Sequence, residues 1–452
     1  MTAPSPRTAL AEGPMSRFQW SVIAVCVLLN MLDGFDVLVM AFTADSVSAD
    51  WALSGTQIGL LLSASLFGMA IGSMLVAPWA DRFGRRPITL GCLTLAGAAM
   101  LLSAVSQSAT QLGILRALTG IGIGGILASS NVIASEFASD RWRGLAVSLN
   151  STGYAIGATV GGIAATVLIG DFGWRSVFLF GGLATVLLIP LVWFRMPESL
   201  DFLLTRRPTG ALQRVNALAT RIGTPMLDGL PAPVESSTGA AGGYRALLGR
   251  DSRRNTLVLW VAFFCVMAGF YFVTSWTPTL LIEAGMSQQQ GITGGTLLNV
   301  GGIAGAALLG LLAARFVLRN VLIAYLIATA VLLGVLTLST SQLGLAYALC
   351  VAVGVFVNGC VAGHYALTTS VYRPHVRTTG VGTALAVGRA GAILAPTMAG
   401  VLLDVGWGPQ HLYLAAAVIF IGTGLVLTLL RVRTRSAEAE TDPAAVPESA
   451  PN

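Results

Sequence analysis

Long apolar segments alternate with short polar breaks along almost the whole chain. Twelve segments of about 19 to 28 residues can be traced, at 18–43, 56–78, 88–106, 111–136, 144–169, 175–194, 256–282, 291–313, 320–339, 343–370, 379–403 and 410–430. A helix that crosses a bilayer needs about 20 predominantly apolar residues. The pattern therefore predicts twelve membrane-spanning helices.

A longer polar stretch at 195–255 separates the first six segments from the second six. It is rich in Pro, Gly, Ser and Arg, which predicts a cytoplasmic linker, with a short amphipathic helix near Gly210–Ile222. The predicted organisation is a tail at 1–17, a six-helix bundle at 18–194, the linker, a second bundle at 256–430 and a disordered tail at 431–452.

Composition places the chain in the membrane. Only 10% of its residues are charged, whereas a soluble chain has about 25%. All 26 basic residues are arginines, and 23 of them fall on one side if both termini are cytoplasmic; Arg175 is the one in an outside loop. This asymmetry predicts cytoplasmic termini and explains the net charge of +6 without a nucleic-acid partner.

The two halves repeat each other in sequence. Asp171-Phe172-Gly173-Trp174 precedes the sixth segment and Asp404-Val405-Gly406-Trp407 precedes the twelfth, 233 residues later. The segments Ala77–Phe83 and Gly310–Phe316 match at the same offset. Six helices repeated in one orientation form the parallel-repeat plan of rocking transporters.

Two carboxylates lie in the middle of the first apolar segment. Asp33 and Asp36 are three residues apart, which puts both on one face of a helix. A charge at membrane depth is costly unless it is paired, hydrated in a cavity or protonated. Repulsion between the two opposes joint ionisation, so one of them is expected to carry a proton.

Several short motifs resemble those of a known superfamily. The loop Asp81-Arg82-Phe83-Gly84-Arg85-Arg86 and the segment Arg116–Gly122 are similar to motifs of the major facilitator superfamily. More narrowly, four segments resemble motifs of the aromatic acid:proton symporter family: Asp33-Gly34-Phe35-Asp36, Ser135-Glu136, Pro197-Glu198-Ser199 and Gly388-Arg389-Ala390-Gly391-Ala392. The chain departs from the superfamily pattern at Ala77, in place of a glycine, and at Ala314, in place of an acid in the second-half loop.

The resemblance implies an all-α integral membrane protein with the major facilitator fold, twelve transmembrane helices in two parallel six-helix repeats. It implies proton-coupled import of an aromatic carboxylate, of the benzoate or hydroxybenzoate type, across the bacterial inner membrane by alternating access. We expect a monomer in the lipid bilayer, with protons and the acid as its small partners and with no cofactor. The five cysteines lie singly in apolar segments, without metal-ligand spacing.

The buried charges suggest how such a protein would work. At 1.5 Å rise per residue, Asp33, Asp36 and Arg116 fall within about 8 to 15 Å of the outer ends of their segments. Arg116 is therefore predicted to pair with the carboxylates, either as a proton switch that also serves the substrate or as a permanent structural ion pair. Glu136 is a third candidate proton carrier, or else a helix-end partner of Arg141 and Arg143.

Arg389 lies near the middle of its segment, with no acid three or four residues away. We expect it to bind the substrate carboxylate through its planar fork, or otherwise to be capped by backbone carbonyls. Further candidate binding residues at this level are Tyr271, Trp276, Tyr365, His364 and Asn299. Aromatic rings favour a flat substrate, although packing within the helices explains each of these residues equally well.

The loop residues Asp81, Arg82, Gly84, Arg85 and Arg86 are expected to bridge helix ends in one conformation and release them in another; the alternative is a basic turn that only fixes topology. Other functions remain open on sequence alone: transport of a non-aromatic carboxylate, drug/proton export, or a receptor without flux. No G-x-x-x-x-G-K-[ST] loop, nucleophile or metal constellation is present, so we expect no enzymatic activity.

Overall fold

The computed structural model of the chain describes residues 10–223, 226–230, 247–249, 252–339, 342–372 and 374–430. In the first half the helices are α1 (Arg17–Trp51), α2 (Gly55–Phe83), α3 (Arg85–Ser103), α4 (Ala109–Glu136), α5 (Asp140–Phe172) and α6 (Arg175–Arg195), followed by the short α7 (Leu200–Arg206) and α8 (Ala211–Ile222). In the second half they are α9 (Arg253–Glu283), α10 (Gln288–Ala313), α11 (Leu318–Leu338), α12 (Leu343–Val371), α13 (Pro374–Asp404) and α14 (Pro409–Thr428).

The fold-class prediction is confirmed. Twelve helices of the described chain, α1–α6 and α9–α14, are long and apolar enough to cross a membrane. Several extend beyond the predicted segments, α1 by eight residues at its carboxyl end, because polar turns outside the apolar run continue the helix. The predicted amphipathic helix is α8, whereas α7 was not predicted. The predicted tail at 431–452 and residues 231–246 of the linker lie outside the described residues.

The sequence repeat is also a structural one. Helices α2 and α10 both begin with a capping box, formed by Ser54 with Gln57 and by Ser287 with Gln290. In each, the serine hydroxyl accepts from the glutamine backbone N–H while the glutamine side chain accepts from the serine N–H. These boxes satisfy N–H groups at the helix start that have no partner within the helix. They lie 233 residues apart, at the offset of the sequence repeat.

Glycines bring neighbouring helices within each half into backbone contact. In α4, a Cβ at Gly120 or Gly124 would collide with the backbone of α2. In α10, a Cβ at Gly301 or Gly305 would collide with the backbone of α12. Because lipid offers helices no hydrophobic incentive to associate, such close packing is a main source of cohesion in a membrane bundle.

The two ends of the bundle differ in charge. The end that carries the start of α1 and the α2–α3 and α4–α5 turns is the arginine-rich end, and the other is the arginine-poor end. At the arginine-poor end, Arg175 donates to Asp50 at 3.0 Å and stacks on Trp174, whose indole N–H donates to the same carboxylate at 2.8 Å. These contacts fasten the end of α1 to the start of α6.

The halves are joined near the arginine-poor end. The carboxylate of Asp404, at the end of α13, accepts from the backbone N–H groups of Gly55 and Thr56 at 2.6 and 2.8 Å. About two helix turns deeper along α2, the Ser63 hydroxyl donates to the Ile393 carbonyl at 2.7 Å. In the described chain, every hydrogen bond between α1–α6 and α9–α14 lies on this side of the bundle's centre. The halves therefore close at the arginine-poor end.

Candidate functional site

Side chains from two other helices of the first half bind Asp36 of α1. Arg116 of α4 donates Nη1 to its Oδ1 at 2.6 Å and Nη2 to its backbone carbonyl, and both side chains have 0% exposure. The hydroxyl of Ser65, on α2, donates to the other carboxylate oxygen. The predicted pairing of Arg116 with the Asp pair is thus observed, with Asp36 as the partner. Arg116, which the sequence also placed among substrate-binding residues, has its terminal nitrogens occupied by Asp36.

Asp33, one turn earlier on α1, has a different environment. Its Oδ1 is buried and has no hydrogen-bond partner, and the side chain forms no ion pair within the described residues. The charged groups within electrostatic range of it are Arg389 and Asp36. The two carboxylates that look equivalent in sequence are therefore distinct, since one is locked into a network and the other is free.

Arg389 lies at the middle of α13, fifteen residues from either helix end. Its Nη1 is buried without a hydrogen-bond partner, and it interacts electrostatically with Tyr271, Tyr365, Asp33 and Tyr154. Gly391, on the next half-turn, lies so close to the α9 backbone that a Cβ would collide with a carbonyl there. This close approach holds α13 against α9, the helix that carries Tyr271.

Tyr154 was missed by the sequence analysis. It lies near the middle of α5, and its hydroxyl is buried without a hydrogen-bond partner. The groups within electrostatic range of its hydroxyl include Tyr271, Asp33 and Arg389. The signal for it was available, because Tyr154 sits between Gly153 and Gly157, which pack α5 onto the helix that carries Asp33. Asp33, Tyr154, Tyr271, Tyr365 and Arg389 together form what we name the central cluster.

The central cluster combines both halves of the chain. Asp33 and Tyr154 come from α1 and α5, whereas Tyr271, Tyr365 and Arg389 come from α9, α12 and α13. Tyr271 is 9% exposed, and Tyr365 is 42% exposed and packs edge-on against Phe263 at 5.2 Å between ring centroids. The cluster thus brings together a cation, a carboxylate, three phenol groups and aromatic faces from the two halves.

Three other predicted binding residues make contacts typical of helix packing. Trp276 is fully buried, and its indole N–H donates to the Pro396 carbonyl of α13 at 3.0 Å. The amide of Asn299 donates to a carbonyl of its own helix at 2.9 Å. His364 is buried, with Nδ1 2.7 Å from the Cys360 carbonyl and Nε2 without a partner. Among the described residues, no three His, Cys, Asp or Glu side chains are grouped closely enough to hold a metal ion.

Glu136 ends α4 at the arginine-rich end, and the helix-end pairing expected for it is wrong. Its Oε1 accepts from the Ser199 hydroxyl at 3.0 Å, and its Oε2 is buried without a partner. Arg143 instead pairs with Asp140 at 2.7 Å, and Arg141 stacks on Trp142. The helix start at Asp140 competes for Arg143 because the two are three residues apart on one helix face.

The basic loop at the α2–α3 turn contacts the segment that follows α6. The turn itself has Gly84 at φ +105°, a conformation that side-chain-bearing residues rarely adopt. The Glu198 Oε1 accepts from the backbone N–H groups of Arg85 and Arg86 at 2.7 and 3.3 Å and caps the start of α3. The basic loop and the Pro197-Glu198-Ser199 motif, separated by 112 residues between Arg86 and Glu198, are thus in direct contact.

The side chains of the loop add further bridges. Arg85 pairs with Asp81 at 3.1 Å, and Arg206 of α7 donates to the Asp81 carbonyl at 3.3 Å. Arg86 donates to the Trp193 carbonyl of α6, and Arg82 stacks on Phe83. All these partners belong to the first half and the linker, so the loop ties α2 and α3 to α6 and α7.

Comparison with known proteins identifies the family. The family model of the Major Facilitator Superfamily matches residues 23–341 and 295–450. A gallate transporter of Pseudomonas putida is 33% identical over 95% of this chain and 96% of its own. The 4-hydroxybenzoate transporter PcaK of Acinetobacter baylyi is 32% identical over 88% of this chain and 87% of its own. The chain belongs to the major facilitator superfamily and, within it, to the aromatic acid:proton symporter family.

Another relative and a solved structure agree with this family assignment. The benzoate transport protein of Acinetobacter baylyi is 29% identical over 90% of this chain and 88% of its own. The inward-open xylose transporter XylE of E. coli has a TM-score of 0.69 at 19% identity and covers 92% of this chain and 97% of its own, which supports the fold. The chain is accordingly a multi-pass membrane transporter and not an enzyme.

Proposed function

We propose that this symporter-family chain imports an aromatic carboxylate together with protons across the bacterial inner membrane by alternating access. The arginine-rich end is then cytoplasmic, with both termini, because basic residues favour the side from which the chain is inserted. The substrate class is supported by the relatives that carry gallate, 4-hydroxybenzoate and benzoate in their names. The bound acid would lie in the central cluster.

The observation that carries this proposal is Arg389 at the middle of α13, whose Nη1 is buried without a hydrogen-bond partner and which forms no ion pair among the described residues. A guanidinium at mid-membrane is costly unless an anion compensates it. The planar fork of arginine accepts a carboxylate through two parallel hydrogen bonds. Tyr271 and Tyr365 lie within electrostatic range of Arg389 and add hydroxyl donors on the same side of the cleft. The substrate carboxylate binds Arg389 and these phenols, and its ring lies against the aromatic side chains.

The proton is carried first by Asp33. Of the two carboxylates in the middle of α1, Asp36 is already bonded to Arg116 and Ser65, so Asp33 is the one free to exchange a proton with the cleft. Glu136 has a buried carboxylate oxygen without a partner near the arginine-rich end. It acts as a second proton-binding site between Asp33 and the cytoplasm.

Transport follows from rocking of the two halves around the central cluster. The conformation described here is closed at the arginine-poor end by Asp404 and Ser63, which makes it inward-facing in the proposed orientation. Residues 18–194 and 256–430 move as the two bodies, and 195–255 connects them on the cytoplasmic side. One chain supplies every residue of the cluster, which supports a monomer as the working unit.

The proposal is tested by pairing a change in Arg389 with a change in the ligand. Binding of 4-hydroxybenzoate and of its amide is measured for the native protein, Arg389→Gln and Arg389→Lys by tryptophan fluorescence or calorimetry. Losing a charge-assisted hydrogen bond costs about 1.5–3 kcal/mol, so Arg389→Gln should bind the acid about 10- to 100-fold more weakly. Arg389→Lys keeps the charge without the fork and should recover only part of the loss.

The amide provides the control. It should bind the native protein poorly, and Arg389→Gln should no longer distinguish it from the acid. If acid and amide are distinguished equally well with and without the guanidinium, the carboxylate binds elsewhere. Tighter binding of an aliphatic dicarboxylate than of any aromatic acid would contradict the substrate class.

A further inference from the structure

The hydroxyl of Tyr154 belongs to the same cluster as the proposed proton site and the proposed substrate site. It is buried without a hydrogen-bond partner, and both Asp33 and Arg389 lie within electrostatic range of it. A buried phenol that bonds to nothing is uncommon, since Tyr O–H groups usually find a partner when buried. An orphaned hydroxyl at this place is therefore available to a group that enters the cleft.

Tyr154 moves with Asp33 and not with Arg389. A Cβ at Gly34 would collide with the Tyr154 carbonyl, and one at Gly157 would collide with the Met31 backbone. These contacts hold α5 against α1 on both sides of Tyr154, within the first half. The packing of α5 against α1 is thus preserved when the halves rock, so Tyr154 stays near Asp33 while its separation from Arg389 changes.

We infer that the Tyr154 hydroxyl couples proton binding to substrate binding, because its single proton is donated either to Asp33 or to the substrate carboxylate held by Arg389. A phenol has one hydrogen to donate. While Asp33 is ionised it is the stronger acceptor, and the bond between them leaves the substrate without this donor. Protonation makes Asp33 a weaker acceptor, and the Tyr154 hydroxyl then donates to the substrate carboxylate. The inference rests on the proposed function and adds a positioning residue to it.

The other groups around Tyr154 leave Asp33 as the one that controls this exchange. From α1 it faces Asp33 and Asp36, from α9 Tyr271, and from α13 Arg389. Asp36 is bound by Arg116, the charged residue of α4 nearest this level. The charged residues of α6 are at its two ends, and α10 has no titratable side chain along Gln288–Ala313. A pH dependence that requires the Tyr154 hydroxyl therefore originates at Asp33.

The test is Tyr154→Phe, which removes only the hydroxyl, studied in proteoliposomes alongside the native protein. Substrate exchange across the membrane at equal pH, which needs no net proton movement, should fall by less than the accumulation that a pH gradient drives. Accumulation driven by a pH gradient should fall about tenfold or more, the effect of one lost hydrogen bond to a charged group. The rise in substrate affinity on acidification should flatten. Tyr325→Phe removes another buried, unbonded phenol, far along the chain in α11, and should change none of these.

Native accumulation and a native pH profile in Tyr154→Phe would overturn the inference while leaving the proposed function intact. Absence of any proton-linked accumulation in the native protein would instead defeat the proposed function itself. If Tyr154→Phe does not fold, 3-fluorotyrosine incorporated at position 154 keeps the ring and makes the hydroxyl a stronger donor. The pH of half-maximal substrate binding should then shift, and an unshifted midpoint would overturn the inference.

Discussion

Asp33→Asn and Asp36→Asn should differ in their effect on the stability of the protein, although the two residues are one helix turn apart. Asp36 accepts from Arg116 at 2.6 Å with both side chains fully buried, and Ser65 bonds its second oxygen. Removing one partner of a buried ion pair leaves the other charge uncompensated and costs about 3–5 kcal/mol. Among the described residues Asp33 forms no ion pair, so its loss removes no comparable bond. Asp36→Asn should therefore destabilise the protein strongly and Asp33→Asn little.

The assay is thermal unfolding in detergent, followed by fluorescence, with transport measured in parallel. On the scaling of soluble domains of about 150–250 residues, a loss of 3–5 kcal/mol lowers the melting temperature by about 6–20 °C. Asp33→Asn should stay within a few degrees of native and lose proton-driven accumulation. The double variant Asp36→Asn/Arg116→Leu, which removes both charges, should regain part of the lost stability.

The reasoning would be refuted if Asp33→Asn and Asp36→Asn lowered the melting temperature equally. It would also fail if the double variant were less stable than Asp36→Asn by the full cost of a second independent substitution, since coupled residues do not behave additively. Either result would mean that Asp36 and Arg116 are not the joint structural element that their contacts indicate.

Four further predictions concern the ends of the bundle. Asp81→Ala should slow turnover severalfold with little change in equilibrium binding; an unchanged turnover rate would mean that this loop only fixes the topology. Glu198→Ala removes the cap of α3 and should cost about 0.5–2 kcal/mol of stability. Asp404→Asn should increase labelling of the cleft from the arginine-poor side, whereas Asp171→Asn, its repeat counterpart, should not; equal labelling would contradict the proposed closure. Glu136→Gln should leave substrate exchange intact and slow proton-driven uptake, so a native uptake rate would remove it from the proton path.

The fold was predictable because membrane-spanning helices depend on a property that sequence displays directly, namely apolar length. The repeat offset added the architecture, since Asp171 and Asp404 mark the same position in each half. The structure then added the capping boxes of α2 and α10 at that offset. Helix ends beyond the membrane were less predictable, because polar residues continue a helix where hydropathy has already fallen.

The site was predictable only in part. Depth along a helix can be counted, and it correctly placed Arg116 beside the Asp pair. Which carboxylate it binds depends on helix rotation and on neighbours such as Ser65, which hydropathy does not reveal. Tyr154 was missed because a tyrosine in a glycine-rich helix is usually a packing residue. Its proximity to Tyr271 and Arg389 depends on the position of the second half. For Trp276 the structure adds a hydrogen bond from the indole N–H to a backbone carbonyl, which the sequence does not reveal.

The central claim is that an aromatic carboxylate bound at Arg389 enters together with a proton through Asp33. The most direct measurement is uptake of labelled gallate or 4-hydroxybenzoate into proteoliposomes with an acidic exterior. Weak acids also cross lipid unaided, so native protein is compared with Arg389→Gln, Asp33→Asn and protein-free liposomes. One pH unit is worth about 1.4 kcal/mol per proton and supports about tenfold accumulation. Rapid accumulation in native vesicles alone, abolished by a protonophore, is the predicted result; equal rates in all four preparations would contradict the account.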